Sequence, residues 1–228
     1  MKKSTKFQIG ILSAILLTGA GAITAIALNQ PGATTPDSSM SGSGSGSSSP
    51  AAVAVVAENS HRLDVADNGT VTFTEFLDFE CEVCGAVYPF VEELREEYAG
   101  EVTFVTRYFP LPGHFNSRNA AIAVEAAAQQ GEFEAMYHRM FETQGEWGEQ
   151  RVSKADLFRQ FAEEIGLDLA AYDAAVANPS TEARVQYDYD AATALGAQGT
   201  PTIFINDDLV PLTSPDDIRA ALNRALAN

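Results

Sequence analysis

Cysteine is nearly absent from this 228-residue chain: Cys81 and Cys84 are the whole supply. No cysteine follows the apolar N-terminal run, which excludes lipoprotein processing there. Histidine is scarce as well, with His61, His114 and His138 at unrelated spacings. Two thiols and three scattered imidazoles do not make a four-ligand zinc site, so no metal is expected. Basic residues are few, 14 Lys and Arg against 31 Asp and Glu, for a net charge of −17. Residues 1–28 hold three lysines and no acid, so the remainder carries −20. Such a surface repels phosphate backbones and anionic lipid, and nucleic acid is excluded as a partner.

The N-terminus has one long apolar run. Phe7 to Leu28 is 22 uncharged residues behind Lys2, Lys3 and Lys6. That length spans a hydrocarbon core as a helix, and the leading lysines keep the N-terminus cytoplasmic. The run reads as a signal anchor or as a cleaved signal peptide ending near Ala25-Ile26-Ala27. Either reading exports the rest of the chain, as a domain held at the membrane or a secreted one. Residues 29–58 form a linker, its first part rich in Ser, Gly, Thr and Pro, with nothing to bury. A flexible coil over 29–50 spans roughly 25 Å. Residues 59–228 remain for one folded domain, and a monomer is the default.

Val71 to Phe79 is rich in β-branched and aromatic residues and predicts a strand. Cys81-Glu82-Val83-Cys84 comes next, opening a helix that runs to about Tyr98 and closes at Gly100. Val102 to Phe109 predicts a second strand, making a βαβ unit with parallel pairing. The middle of the chain turns helical, with helices at 116–130, 132–143, 154–165, 169–177 and 181–195. Strand character returns at 202–206 and 209–210. Ser214 then caps a final helix, with Pro215 at its first position. The order is sheet, helical insert at about 112–196, sheet, helix.

Two thiols two residues apart at a strand-to-helix junction suit thiol–disulfide exchange. Cys81 reads as the exposed, attacking thiol, made acidic by the helix N-terminus. Cys84, one turn in, reads as the resolving thiol. The Glu82 carboxylate beside Cys81 opposes the thiolate, which predicts a weaker oxidant than a histidine there would give. Phe79, Phe109 and Phe115 are candidates for an apolar rim or for core, and His114 for the groove or an ordinary loop. Trp147 reads as a cap on the helical insert.

Taken together, these residues resemble the thioredoxin-fold superfamily, and its DsbA-like branch in particular. Four features carry the resemblance: the Cys81–Cys84 motif after a strand; Pro89 inside the next helix; Glu75, six residues before Cys81; and Gly199-Thr200-Pro201-Thr202 before the late strand. The helical insert separates the DsbA-like branch from plain thioredoxin. The resemblance implies an α/β thioredoxin-like fold and a buried proton-carrying Glu75. It also implies a cis Pro201 beside the disulfide, with Thr200 contacting the substrate backbone. It further implies an enzyme without cofactor that oxidises thiols of exported proteins and is re-oxidised by a quinone-linked membrane partner. The alternatives are a disulfide reductase or isomerase, and a non-catalytic binding module with a structural disulfide.

Overall fold

The computed structural model describes residues 53–67 and 69–228. The apolar run at 7–28 and most of the linker lie outside these residues. Among the described residues no helix is long and apolar enough to cross a membrane.

Five strands form one sheet: β1 (His61–Asp64), β2 (Val71–Leu77), β3 (Val102–Tyr108), β4 (Thr202–Ile205) and β5 (Asp208–Val210). Their spatial order is β1-β3-β2-β4-β5. β2 and β3 run parallel, in register from Val71 opposite Val102 to Leu77 opposite Tyr108. The other pairings are antiparallel. The parallel pair is joined by α1 (Glu82–Glu97), which completes the expected βαβ unit.

β2 and β3 are buried along nearly their whole length, which accounts for their β-branched and aromatic content and only partial alternation. Side chains alternate across β2. Phe73 packs with Val91 and Leu94 of α1 and with Ile218 and Leu222 of α8 (Pro215–Leu226). Phe76 faces the other way, toward Phe204, Ala191 and Ala192. Glu75 shares the parity of Phe73 and therefore the α1 face.

The helical insert comprises α2 (Ser117–Ala128), α3 (Phe133–Glu142), α4 (Gln144–Trp147), α5 (Ala155–Glu164), α6 (Leu169–Val176) and α7 (Pro179–Ala194). Its core merges with the end of the sheet through Leu77, Phe79, Tyr108, Cys81 and Cys84. Trp147 is not a cap but lies fully buried in this core, its ring edge-on to Phe158. α7 is tied to the sheet by a buried ion pair, with Arg107 Nε donating to Asp188 Oδ1 at 2.7 Å. The same guanidinium donates to the carbonyls of Ala54 and Val55, which seats the start of the domain.

Two elements were not expected from the sequence. β1 is a four-residue edge strand of mixed polarity, with a register shift between Arg62 and Asp64. α4 is a single turn between two longer helices.

Candidate active site

Cys81 is the N-cap residue of α1, in extended conformation at φ −68° and ψ 122°. Its N–H donates to Asp78 O at 3.1 Å, and its carbonyl accepts from Gly85 N–H at 3.0 Å. Turn and helix start therefore overlap at this residue, and the first N–H groups of α1 are left free to face the sulfur.

The sequence expectation of an exposed Cys81 is corrected here: Cys81 is 5% exposed and Cys84 1%. The physical reason is lateral cover. Cys81 Sγ rests 3.5 Å from the Thr200 carbonyl oxygen, and the Gln144 amide of α4 bonds the Cys81 carbonyl at 2.9 Å. The Thr200–Pro201 peptide is cis, as the resemblance implies. Phe79 and Phe109 are core residues, whereas Phe115 stays exposed, as does Val83 between the two cysteines.

The two thiols are driven apart in acidity. Cys81 is pulled down to about 5, first by hydrogen bonding from the Cys84 thiol. Burial opposes this, and the Thr200 side chain and the N–H groups of Cys84 and Val83 assist it. The Thr200 hydroxyl is buried with no other partner, so it is free to donate to the sulfur once the thiol ionises. Burial, then Cys81 and Glu75, push Cys84 well above the ordinary thiol range.

Glu75 is buried, as expected, at 4% exposure. Loss of water around its carboxyl, then the charges of Glu92 and Cys81, push its pKa up to about 8. It is therefore a neutral acid at pH 7, and it is close enough to the pair that its charge bears on Cys84 and the charge of Cys81 bears on it.

The sequence reading did not anticipate the part played by Asp78 and His114. Asp78 is buried and accepts from the N–H groups of Glu80 and Leu111, each at 2.9 Å. Its Oδ2 also lies 2.6 Å from His114 Nδ1. Burial works against a charged His114, but Asp78 outweighs it, helped by the Cys81 thiolate and Glu149, and the imidazole pKa rises. Polar atoms of Glu82, His114 and Glu149 lie within 4.8 Å of one another. The exposed Glu82 carboxylate thus has a basic neighbour, and it is not among the main influences on Cys81. That weakens the expectation that the Glu82 carboxylate opposes the thiolate. Asp78 and His114 are 36 residues apart, so only the folded chain pairs them.

The matches with known proteins agree with this geometry. A family model described as thioredoxin matches residues 66–224. The chain belongs to the thioredoxin family. Its cysteine pair, cis-proline loop and helical insert give it the DsbA-like form of that fold. A crystal structure of a thioredoxin-like oxidoreductase from Silicibacter pomeroyi is 26% identical, with a TM-score of 0.65. That match covers 79% of this chain and 99% of that one. BdbD from Bacillus subtilis, in its oxidised form, shares the fold at 22% identity and TM-score 0.63, covering 72% of this chain and 92% of that one. Among curated relatives, a Na(+)/H(+) antiporter NhaA 3 of Salinispora tropica is 39% identical over 137 residues. That match takes in 60% of this chain but 20% of the antiporter. This chain thus spans about a fifth of the length of such relatives. Family and site geometry together suit thiol–disulfide exchange at the Cys81–Cys84 pair.

Proposed function

We propose that the protein is an extracytoplasmic thiol oxidase, held at the membrane by its N-terminal segment, that passes its Cys81–Cys84 disulfide to exported proteins. The observation that carries this reading is the split in acidity between the two thiols. A Cys81 thiolate stabilised down to about 5 favours the reduced form, which makes the disulfide oxidising.

In the first step a client thiolate attacks Cys81 Sγ. A client–Cys81 bond forms, the Cys81–Cys84 bond breaks, and Cys84 leaves as a thiolate. Cys84 holds its proton tightly, and the neutral Glu75 carboxyl supplies it. In the second step the client's other thiolate attacks the client sulfur of the mixed disulfide. Cys81 leaves as a stabilised thiolate, which speeds release. Two electrons and two protons have left the client, whose thiols are now a disulfide. A quinone-linked membrane partner removes both electrons from the reduced pair.

Thr200 and Pro201 line a groove of about 530 Å³ shared with Ile203 and Leu212. An extended client segment laid there meets the Thr200 backbone beside the reactive sulfur.

The test is disulfide formation in a reduced exported protein. The wild-type chain is expected to catalyse it, Cys81→Ser to abolish it, and Cys84→Ser to accumulate a client mixed disulfide on Cys81. A wild-type chain that reduces disulfides but does not form them overturns the reading.

A further inference from the structure

Gly85, in the first turns of α1, has no room for a side chain. A Cβ at that position would lie 2.0 Å from Gln144 Oε1 and 2.7 Å from Gln144 Cδ. The Gln144 amide occupies the space because its nitrogen bonds the active-site turn twice. Nε2 donates to Phe79 O at 2.8 Å and to Cys81 O at 2.9 Å.

The amide is presented from a firm base. Gln144 opens α4, and Trp147 at its end is fully buried, its indole N–H donating to Met140 O at 3.3 Å. Gly148 continues the close approach: a Cβ there would meet Gln144 O at 3.0 Å and Glu80 O at 3.8 Å. The helical insert thus grips the turn that carries the nucleophile.

We propose that Gln144 is a positioning residue for Cys81, acting through the carbonyls of the turn. This rests on the reading of Cys81 and Cys84 as the redox pair. The Cys81 carbonyl accepts one bond from Gly85 N–H within the helix and a second from Gln144. Together they fix the peptide plane that leads into α1. The N–H groups of Val83 and Cys84 are then held toward the sulfur without reorganising when it ionises. Gly85 is the complement of this arrangement, since a methyl group there would expel the amide.

The test uses the full chain and three variants: Gln144→Ala, Gly85→Ala and the double variant. Thiolate absorbance against pH reads Cys81, and equilibration with glutathione reads the disulfide. Losing a bond that orients the turn is expected to shift the glutathione equilibrium about threefold toward disulfide, with a matching rise in the Cys81 midpoint. Gly85→Ala is expected to do the same by displacing Gln144. The double variant is expected to shift no further than either single one, because both remove one arrangement. It is also expected to be at least as stable to urea as Gln144→Ala, since alanine favours the helix once the space is free.

Unchanged midpoints and equilibria in both single variants would overturn the proposal and reduce Gln144 to structural glue. So would a double-variant shift equal to the two single shifts combined. A wild-type chain that forms no Cys81–Cys84 disulfide would overturn the underlying reading and this proposal with it.

Discussion

Replacing Glu75 with glutamine is expected to change how stability responds to pH. Below pH 4.5 the Glu75 carboxyl is protonated in folded and unfolded chains alike. Between 4.5 and about 8 the unfolded chain ionises and the folded chain does not. A raised carboxyl pKa means the folded state binds the proton more tightly, so its stabilising share is full at low pH and is lost as pH rises. The loss runs at about 1.4 kcal/mol per pH unit, reaching about 3 kcal/mol by pH 7 and about 5 kcal/mol above pH 8. Glutamine keeps the size and does not titrate. Urea unfolding of the oxidised chain removes both thiols from the titration and leaves burial, the largest cause of the Glu75 shift, and Glu92 in place. Relative to wild type, Glu75→Gln is expected to gain about 4 kcal/mol between pH 5 and pH 9. A difference that stays flat across that range would mean the carboxyl ionises at its ordinary value, and the proton role would fall with it.

The same geometry sets other expected outcomes. Alkylation of Cys81 in the reduced chain is expected to reach half its maximal rate at about pH 5; a midpoint near the ordinary thiol value of 9 would remove the basis for an oxidising pair. Because that pKa is lowered, the reduced form is expected to gain stability over the oxidised form as pH rises from about 5 toward 9, read by parallel urea titrations. Asp188→Ala leaves the buried Arg107 guanidinium unpaired and is expected to cost about 3–5 kcal/mol without altering the glutathione equilibrium. A cost below about 1 kcal/mol would show the pair to be hydrated. Asp78→Asn is expected to lower the His114 imidazole midpoint, measured by NMR, because burial then acts with less opposition. An unmoved midpoint would contradict the pairing of those two residues.

What could be read from the chain depended on locality. β2, α1 and β3 announce themselves through apolar runs, turn residues and spacing, and the structure places each within a few residues of expectation. The cysteine pair, the proline within α1 and the Thr200–Pro201 loop are likewise local signals. The burial of Glu75 follows from the resemblance, which marks the position six residues before Cys81 as a buried acid. β1 was missed because four residues of mixed polarity on a sheet edge carry no periodic pattern. The burial of Cys81 was missed because its cover comes from elsewhere in the chain. Gln144 meets Cys81 across 63 residues and Thr200 meets it across 119. His114 reaches Asp78 across 36. No spacing rule joins residues so far apart, whereas the Cys84 thiol that most lowers Cys81 lies within the motif itself. Residues 7–28, read as a membrane segment, lie outside the described structure.

The most direct test of the account is the reduction potential of the Cys81–Cys84 pair, measured against glutathione with thiol trapping. An oxidase with an acidic Cys81 is expected to lie toward about −120 to −180 mV. A value near about −270 mV would place the pair with reductases and contradict the proposed direction of electron flow.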